Sequence, residues 1–216
     1  NIDEKYKIYL YQNVREDELT LYGFKSKEEK SLFLKLIDVK GLGPKMALPI
    51  IATNNINDVI EAIRDADLII MGPGSLYTSI ISNFLVKDIT RAVWASKAKK
   101  MYVCNAMTQP GETDNYSVSD HVKTIFDHVR IEDVDDSKKN FFDAVLVNNF
   151  MPRNLAEKYE QAGSLPVEID ITELRRLGIE VVERNLLEDN KQGLVRHSCS
   201  KVAKSIYHWY KRKIKR

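Results

Sequence analysis

Asp67-Leu-Ile-Ile-Met71, followed without a break by Gly72-Pro-Gly-Ser-Leu-Tyr-Thr-Ser-Ile80, is the segment that decides the fold. The short apolar run reads as a buried strand, and Gly-Pro-Gly-Ser behind it enforces a tight turn. Leu76, Ile80, Ile81, Phe84 and Leu85 then recur at helical spacing. A strand, a glycine turn and a helix N-terminus aim free backbone N–H groups and a partial positive charge at an anion. Gly72 and Gly74 let the backbone approach a ligand, and Ser75 and Thr78 add hydroxyls. A phosphate or a phosphorylated sugar is the expected guest, although Gly and Ser also serve ordinary turns and caps.

A second cluster lies thirty residues on. Met101-Tyr-Val-Cys104 reads as another buried strand, preceded by what looks like the Lys-rich end of a helix (Lys97, Lys99, Lys100). From Asn105 to Asp120 the chain is polar around Pro110-Gly111. Connections in α/β domains are normally a few residues long, and a long polar loop at the carboxyl end of a strand is where open α/β sheets bind ligands.

Outward from these two segments the rest of the chain falls into place. Residues 6–13 and 18–24 alternate and read as a hairpin across Val14-Arg-Glu-Asp17. Ser26-Lys-Glu-Glu29 is a capping box before a helix that buries Leu32, Phe33, Leu36 and Ile37. Val39 to Leu48 reads as a hairpin between short helices, and a further helix begins near Asn57. Beyond Asp67, strands are expected at 67–71, 101–104, 143–148 and 179–182. Helices are expected at 76–85, 88–95, 117–130, 152–162, 172–177 and 200–212, and Glu132–Asn140 reads as a charged linker. The fold class is α/β: a Rossmann-like, mostly parallel sheet with flanking helices, preceded by a β-hairpin and a helix–hairpin–helix segment.

The 216 residues have a net charge of +2, 44% hydrophobic and 30% charged content, as expected of a soluble chain of one or two domains. No apolar run approaches the length of a membrane span, so no membrane partner is expected and the location reads as cytoplasmic. Cys104 and Cys199 have no metal-binding spacing. From Lys201 to Arg216 every ionised side chain is basic, with Val202, Ile206, Trp209 and Tyr210 forming an apolar face. That pattern reads as a docked terminal helix with a solvated basic face, or as a surface for nucleic acid or anionic lipid.

Two family resemblances follow from these residues. Val14-Arg-Glu-Asp17, Leu21-Tyr-Gly-Phe24, the Glu28-Glu29-x-x-x-Phe33 helix and Gly41-x-Gly-Pro-Lys45-x-Ala47 resemble the bacterial Holliday-junction branch-migration subunit RuvA over residues 1–63. The resemblance implies a helix–hairpin–helix in which Gly41, Gly43 and Lys45 touch a DNA backbone, weakly, because a single phosphate clamp is present.

Residues from about 64 to 212, in an expected domain of 64–216, look like the C-terminal half of the CofD/YvcK (gluconeogenesis factor) family. The motifs are Ala66-Asp-Leu-Ile-Ile-Met-Gly-Pro-Gly-Ser-Leu-Tyr-Thr-Ser-Ile80, Tyr102-Val-Cys-Asn-Ala-Met-Thr-Gln-Pro-Gly-Glu-Thr-Asp114, Ser119-Asp-His121 and Arg196-His197. The resemblance implies a regulatory protein that binds a UDP-N-acetylglucosamine-type nucleotide-sugar and is linked to gluconeogenic growth and cell-wall precursor supply. Gly72, Gly74, Ser75, Thr78, Asn105, Thr108, Gln109, Glu112, Asp114, His121, Arg196 and His197 are the candidate ligand or phosphate contacts. No catalytic or metal residue is assigned. The alternative within the family is a transferase of a phosphorylated 2-hydroxy acid, in which Asp114 or Asp120 would hold Mg²⁺. Joining the two fragments implies a fusion or chimera, and a parallel sheet lacking its opening strands predicts an exposed edge and self-association.

Overall fold

The computed structural model describes residues 7–14, 19–38, 43–44, 47–48, 51, 56–130, 140–188 and 194–214. It divides between Val59 and Ile60 into two compact units.

In the first unit, β1 (Tyr9–Val14) and β2 (Leu19–Phe24) pair antiparallel, with Tyr11 opposite Tyr22. Helix α1 (Lys27–Ile37) follows. Phe33 is fully buried, with Tyr11, Tyr22 and Phe24 around it at ring separations of 5.3, 5.4 and 4.8 Å. Of the four helix residues expected inside, Phe33 and Leu36 are buried while Leu32 and Ile37 are half-covered. The cap also departs from the expected box. Ser26 Oγ accepts from the Glu29 N–H, but the Glu29 carboxylate accepts from the Lys25 N–H, one residue before the cap. The expected hairpin at 39–48 lies largely outside the described residues, as does the 132–139 linker.

Helix α2 (Ile56–Asp65) leads into the second unit. There β3 (Leu68–Met71), β4 (Lys99–Val103), β5 (Ala144–Asn148) and β6 (Glu180–Arg184) form an all-parallel sheet in the order β3-β4-β5-β6. All four expected strands are present. Lys99 and Lys100 are a correction: they open β4 instead of closing a helix, because α4 (Lys87–Ala95) has already ended and Ser96 is extended.

Each connection steps one strand in the same direction. Parallel crossovers share one hand, so such a sequence lays its connecting helices on one face. The packing agrees. One side of the sheet, with Met71, Tyr102, Val145 and Val147, meets side chains of α3 (π-wound Leu76–Ile81 continued by the α-turn Ser82–Phe84), α4, α5 (Val118–His128) and α7 (Ile171–Arg176). Between β5 and α7 runs α6 (Arg153–Glu160), with no fully buried residue. The other side, with Met101, Val103, Ala144, Leu146 and Val182, packs on α8 (Cys199–Ile214) through Trp209, with Val202, Ile206 and Tyr210 at the margin. The two faces explain why the central strands read as continuous apolar runs. β3 forms the edge, and Ile70 on its α8 side is 38% exposed.

Trp209 is fully buried and carries the second face. Trp209→Ala is expected to cost about 3–5 kcal/mol in urea unfolding, the range for deleting a buried large side chain. Trp209→Phe should lose less, because an aromatic ring still fills most of the space against the sheet.

Candidate functional site

The site lies where β3 and β4 end. After Met71 the chain turns at Gly72, whose φ of +83° favours glycine. A Cβ there would lie 2.7 Å from the Val103 carbonyl oxygen of the neighbouring strand. Only hydrogen fits, so the turn is held hard against the end of β4. At Gly74 a Cβ would meet that of Ser79 at 3.0 Å.

The two sequence clusters meet at this corner. The Gly74 N–H donates to Asn105 Oδ1 at 3.3 Å. The Ser75 hydroxyl donates to Glu112, with both carboxylate oxygens at 2.8 Å. One turn further, the Tyr77 and Tyr116 hydroxyls are 2.9 Å apart. Two rungs, Ser75–Glu112 and Tyr77–Tyr116, thus join α3 to the long loop after β4.

The turn's amides divide into spent and open groups. The Thr78 N–H and hydroxyl both point to Ser75 Oγ, at 3.4 and 2.7 Å. Ser79 and Ile80 N–H share the Ser75 carbonyl at 3.0 Å each, the widened winding of a π-turn. The N–H groups of Ser75, Leu76 and Tyr77 have no acceptor among the described residues. The expected cradle is therefore half engaged internally, and a carboxylate stands at its lip. Glu112 accepts where a ligand hydroxyl could donate; the open amides and Asn105 Nδ2 remain as donors.

The other candidate residues fall into separate roles. Thr108 is buried and pins residues 164–165 to the loop: its N–H donates to Leu165 O at 2.7 Å, its hydroxyl accepts from Leu165 N, and its carbonyl accepts from the Ser164 hydroxyl. Gln109 supplies the carbonyl for the Glu112 and Thr113 amides and leaves its side chain exposed. Asp114 closes the turn by accepting from Gly111 N at 2.7 Å. Arg196 and His197 come after β6, at the edge opposite β3; His197 bridges to Leu187, and Arg196 is exposed. Of the DNA-contact candidates, Gly41 and Lys45 lie outside the described residues, while Gly43 has open space at its Cβ position.

His121 is fully buried in α5. Its Nδ1 lies 2.8 Å from the Ser117 carbonyl, its Nε2 has no partner, and Tyr116 meets the ring edge-on at 5.6 Å. Burial lowers its pKa from 6.5, against the opposing pull of the Ser117 carbonyl and Asp120. Burial likewise lowers that of His197. Burial, then the hydrogen bond to Tyr116, pushes the Tyr77 phenol up to about 12, so that phenol stays neutral near pH 7.

Four contributors were missed from sequence: Tyr77, Tyr116, Ser117 and Asp170. Ser117 and Asp120 form a complete capping box on α5, visible in the Ser-x-x-Asp spacing. Asp170 accepts from the Ser119 N–H and the Ser117 hydroxyl, both at 2.9 Å. Burial raises its pKa, but these hydrogen bonds outweigh that and leave it below the usual range. Nothing in the local sequence marks Asp170, because its partners lie fifty residues away.

Asp114 and Asp120, the two residues named for Mg²⁺, both have partners within the fold. The Asp120 carboxylate is engaged by the Ser117 N–H and hydroxyl, and Asp114 by Gly111. Among the described residues there is no cluster of three His, Cys, Asp or Glu side chains fit for a metal.

The family model described as 2-phospho-L-lactate transferase CofD matches residues 41–187. The chain belongs to the CofD/gluconeogenesis factor family. The gluconeogenesis factor of Bacillus subtilis is 45% identical over 147 residues, covering 68% of this chain and 44% of that protein. A putative gluconeogenesis factor of Aquifex aeolicus is 39% identical over 192 residues, covering 88% and 52%. The crystal structure of a UPF0052-family protein from Bacillus halodurans superposes with a TM-score of 0.62 at 38% identity, over 69% of this chain and 46% of that one. This chain spans about half the length of these relatives. The family match opens at residue 41, ahead of the boundary at residue 64 expected from the sequence.

The buried histidines set a pH dependence. Their folded pKa values lie below 6.5, so the unfolded chain takes up protons first as pH falls. Their contribution to stability is complete above about 6.5 and is lost as pH falls from there towards the folded values, at roughly 1.4 kcal/mol per pH unit per proton. Urea midpoints measured from pH 7.5 to 5.5 should fall, and His121→Leu should about halve that slope.

Proposed function

We propose that the second unit binds a nucleotide-sugar of the UDP-N-acetylglucosamine type at the β3–β4 corner, as a regulatory ligand. Gluconeogenic growth and cell-wall precursor supply are the processes this ligand would report on. The observation that carries the reading is the Ser75–Glu112 pair beside three open amides. A bare anion is poorly served there, since Glu112 adds a negative charge. A sugar phosphate is served twice: its phosphate oxygens accept from the open N–H groups, and its hydroxyls donate to Glu112.

Position in the fold supports the same reading. The corner sits outside the carboxyl ends of adjacent parallel strands, where open α/β sheets place their ligands. Asn105 orients one side by accepting from Gly74, leaving its Nδ2 hydrogens for the guest. The Tyr77 and Tyr116 hydroxyls, 2.9 Å apart, add a polar edge to the same corner. The relatives' name, gluconeogenesis factor, favours control of carbon flux as the setting.

UDP-N-acetylglucosamine should raise the melting temperature in proportion to the logarithm of its concentration once saturating. Glu112→Gln, which keeps the shape and removes the charge, should weaken binding of the sugar nucleotide by about tenfold, the loss of one charged hydrogen bond of ~1.5 kcal/mol. It should leave inorganic phosphate binding unchanged or stronger. A flat melting temperature up to millimolar ligand, or a Glu112→Gln protein that binds as tightly as the parent, overturns the reading.

A further inference from the structure

Helix α8 presents two faces of opposite character. Trp209, Ile206, Val202 and Tyr210 are given to the sheet. Lys204, Tyr207, His208 and Lys211 fall within about 100° of one another on the outward side, with Arg212 at its margin. Tyr207 is 56% exposed and the Lys211 ammonium lies 5.4 Å from its ring centroid. Lys213 is spent on Glu180 at 2.6 Å. Lys204, Lys211 and Arg212 make no ion pair among the described residues. From Gly193 to Arg216 the sequence contains no Asp or Glu at all.

We propose that this outward face of α8 binds single-stranded nucleic acid, with Lys204, Lys211 and Arg212 on phosphates and Tyr207 as a stacking platform for a base. Two features select this partner from other polyanions. The aromatic ring sits between the cations along the helix, at three residues from Lys204 and four from Lys211, which is the alternation of charge and stacking that single strands require. The helix's apolar face is already buried, so a bilayer would find no broad apolar surface to receive. Lys204 and Lys211 are seven residues apart, about 10 Å along the axis, within reach of neighbouring phosphates on an extended strand. This surface is independent of the β3–β4 corner, and neither reading depends on the other.

Fluorescence anisotropy with a labelled single-stranded oligonucleotide of about fifteen nucleotides tests it. Binding is expected to weaken with salt at a log–log slope of about −2, three cations at about −0.7 each. Lys204→Ala combined with Lys211→Ala should cut the slope to below −1 in magnitude and weaken binding at least tenfold. Tyr207→Ala should weaken binding about fivefold or more at unchanged slope. All three positions are exposed or solvent-facing, and an unchanged melting temperature verifies that the variants are folded. The proposal is overturned by absent binding at low salt, by a slope that the double variant leaves in place, or by Tyr207→Ala binding like the parent. It is overturned equally if polyglutamate, or phosphatidylserine vesicles, compete as well as the oligonucleotide.

Discussion

The close approach of Gly72 to the Val103 carbonyl governs the rest of the site. With φ at +83° and no Cβ, the chain leaving β3 can fold flat against the end of β4. Any side chain would push the turn away by the better part of an ångström, since a carbon cannot sit 2.7 Å from a carbonyl oxygen. The hydrogen bond from Gly74 to Asn105 and that from Ser75 to Glu112 both depend on this spacing. Sequence supplies the glycine, the glycine permits the contact, and the contact brings two polar segments thirty residues apart into one place.

The loop after β4 would not hold its shape on its own. It is braced by the chain that runs from α6 to α7, through Thr108 with Ser164 and Leu165, a bridge from Met107 to Pro166, and Asp170 on the first turn of α5. Asp170 also completes the cap that Ser117 and Asp120 begin, so the N-terminus of α5 already has its negative partner. That leaves α3 as the turn with unspent amides. Open backbone donors thus remain at the β3–β4 corner, while the neighbouring helix start is internally satisfied.

Much of this was legible in the chain. The apolar runs at 68–71 and 144–148 and the glycine turn between strand and helix are local signals, and the parallel sheet follows from their alternation. The pairing of Gly72–Thr78 with Asn105–Glu112 was also legible, because adjacent parallel strands bring their trailing loops together. What escaped was non-local or subtle. The π-winding of Leu76–Ile81 leaves the same apolar spacing over so few residues as an α-helix would. Asp170 meets its partners only through the fold. Thr108 also ties the loop to residues 164–165, and Asp114 also closes the turn at Gly111, roles that their polar character alone does not reveal. Lys99 and Lys100 looked helical because charge is uncommon in buried strands; they open β4 at the sheet's end, where one reaches Asp143 and the other Ser96 O.

On the proposed reading, Glu112 restricts what kind of guest suits the corner. A helix start that was built for phosphate alone would gain from a nearby cation, and none of the described contacts at the turn supplies one. A carboxylate instead raises the electrostatic cost of an anion close to Ser75 and moves the favourable position towards Leu76 and Tyr77, whose N–H groups are open. At about 4 Å and an effective dielectric near 20, that like-charge cost is on the order of 4 kcal/mol, more than a single charged hydrogen bond returns. A guest must therefore offer something to Glu112 as well as to the amides. Hydroxyl groups at a fixed distance from a phosphate meet both demands, and a diphosphate-linked sugar is a compact chemistry that carries them together.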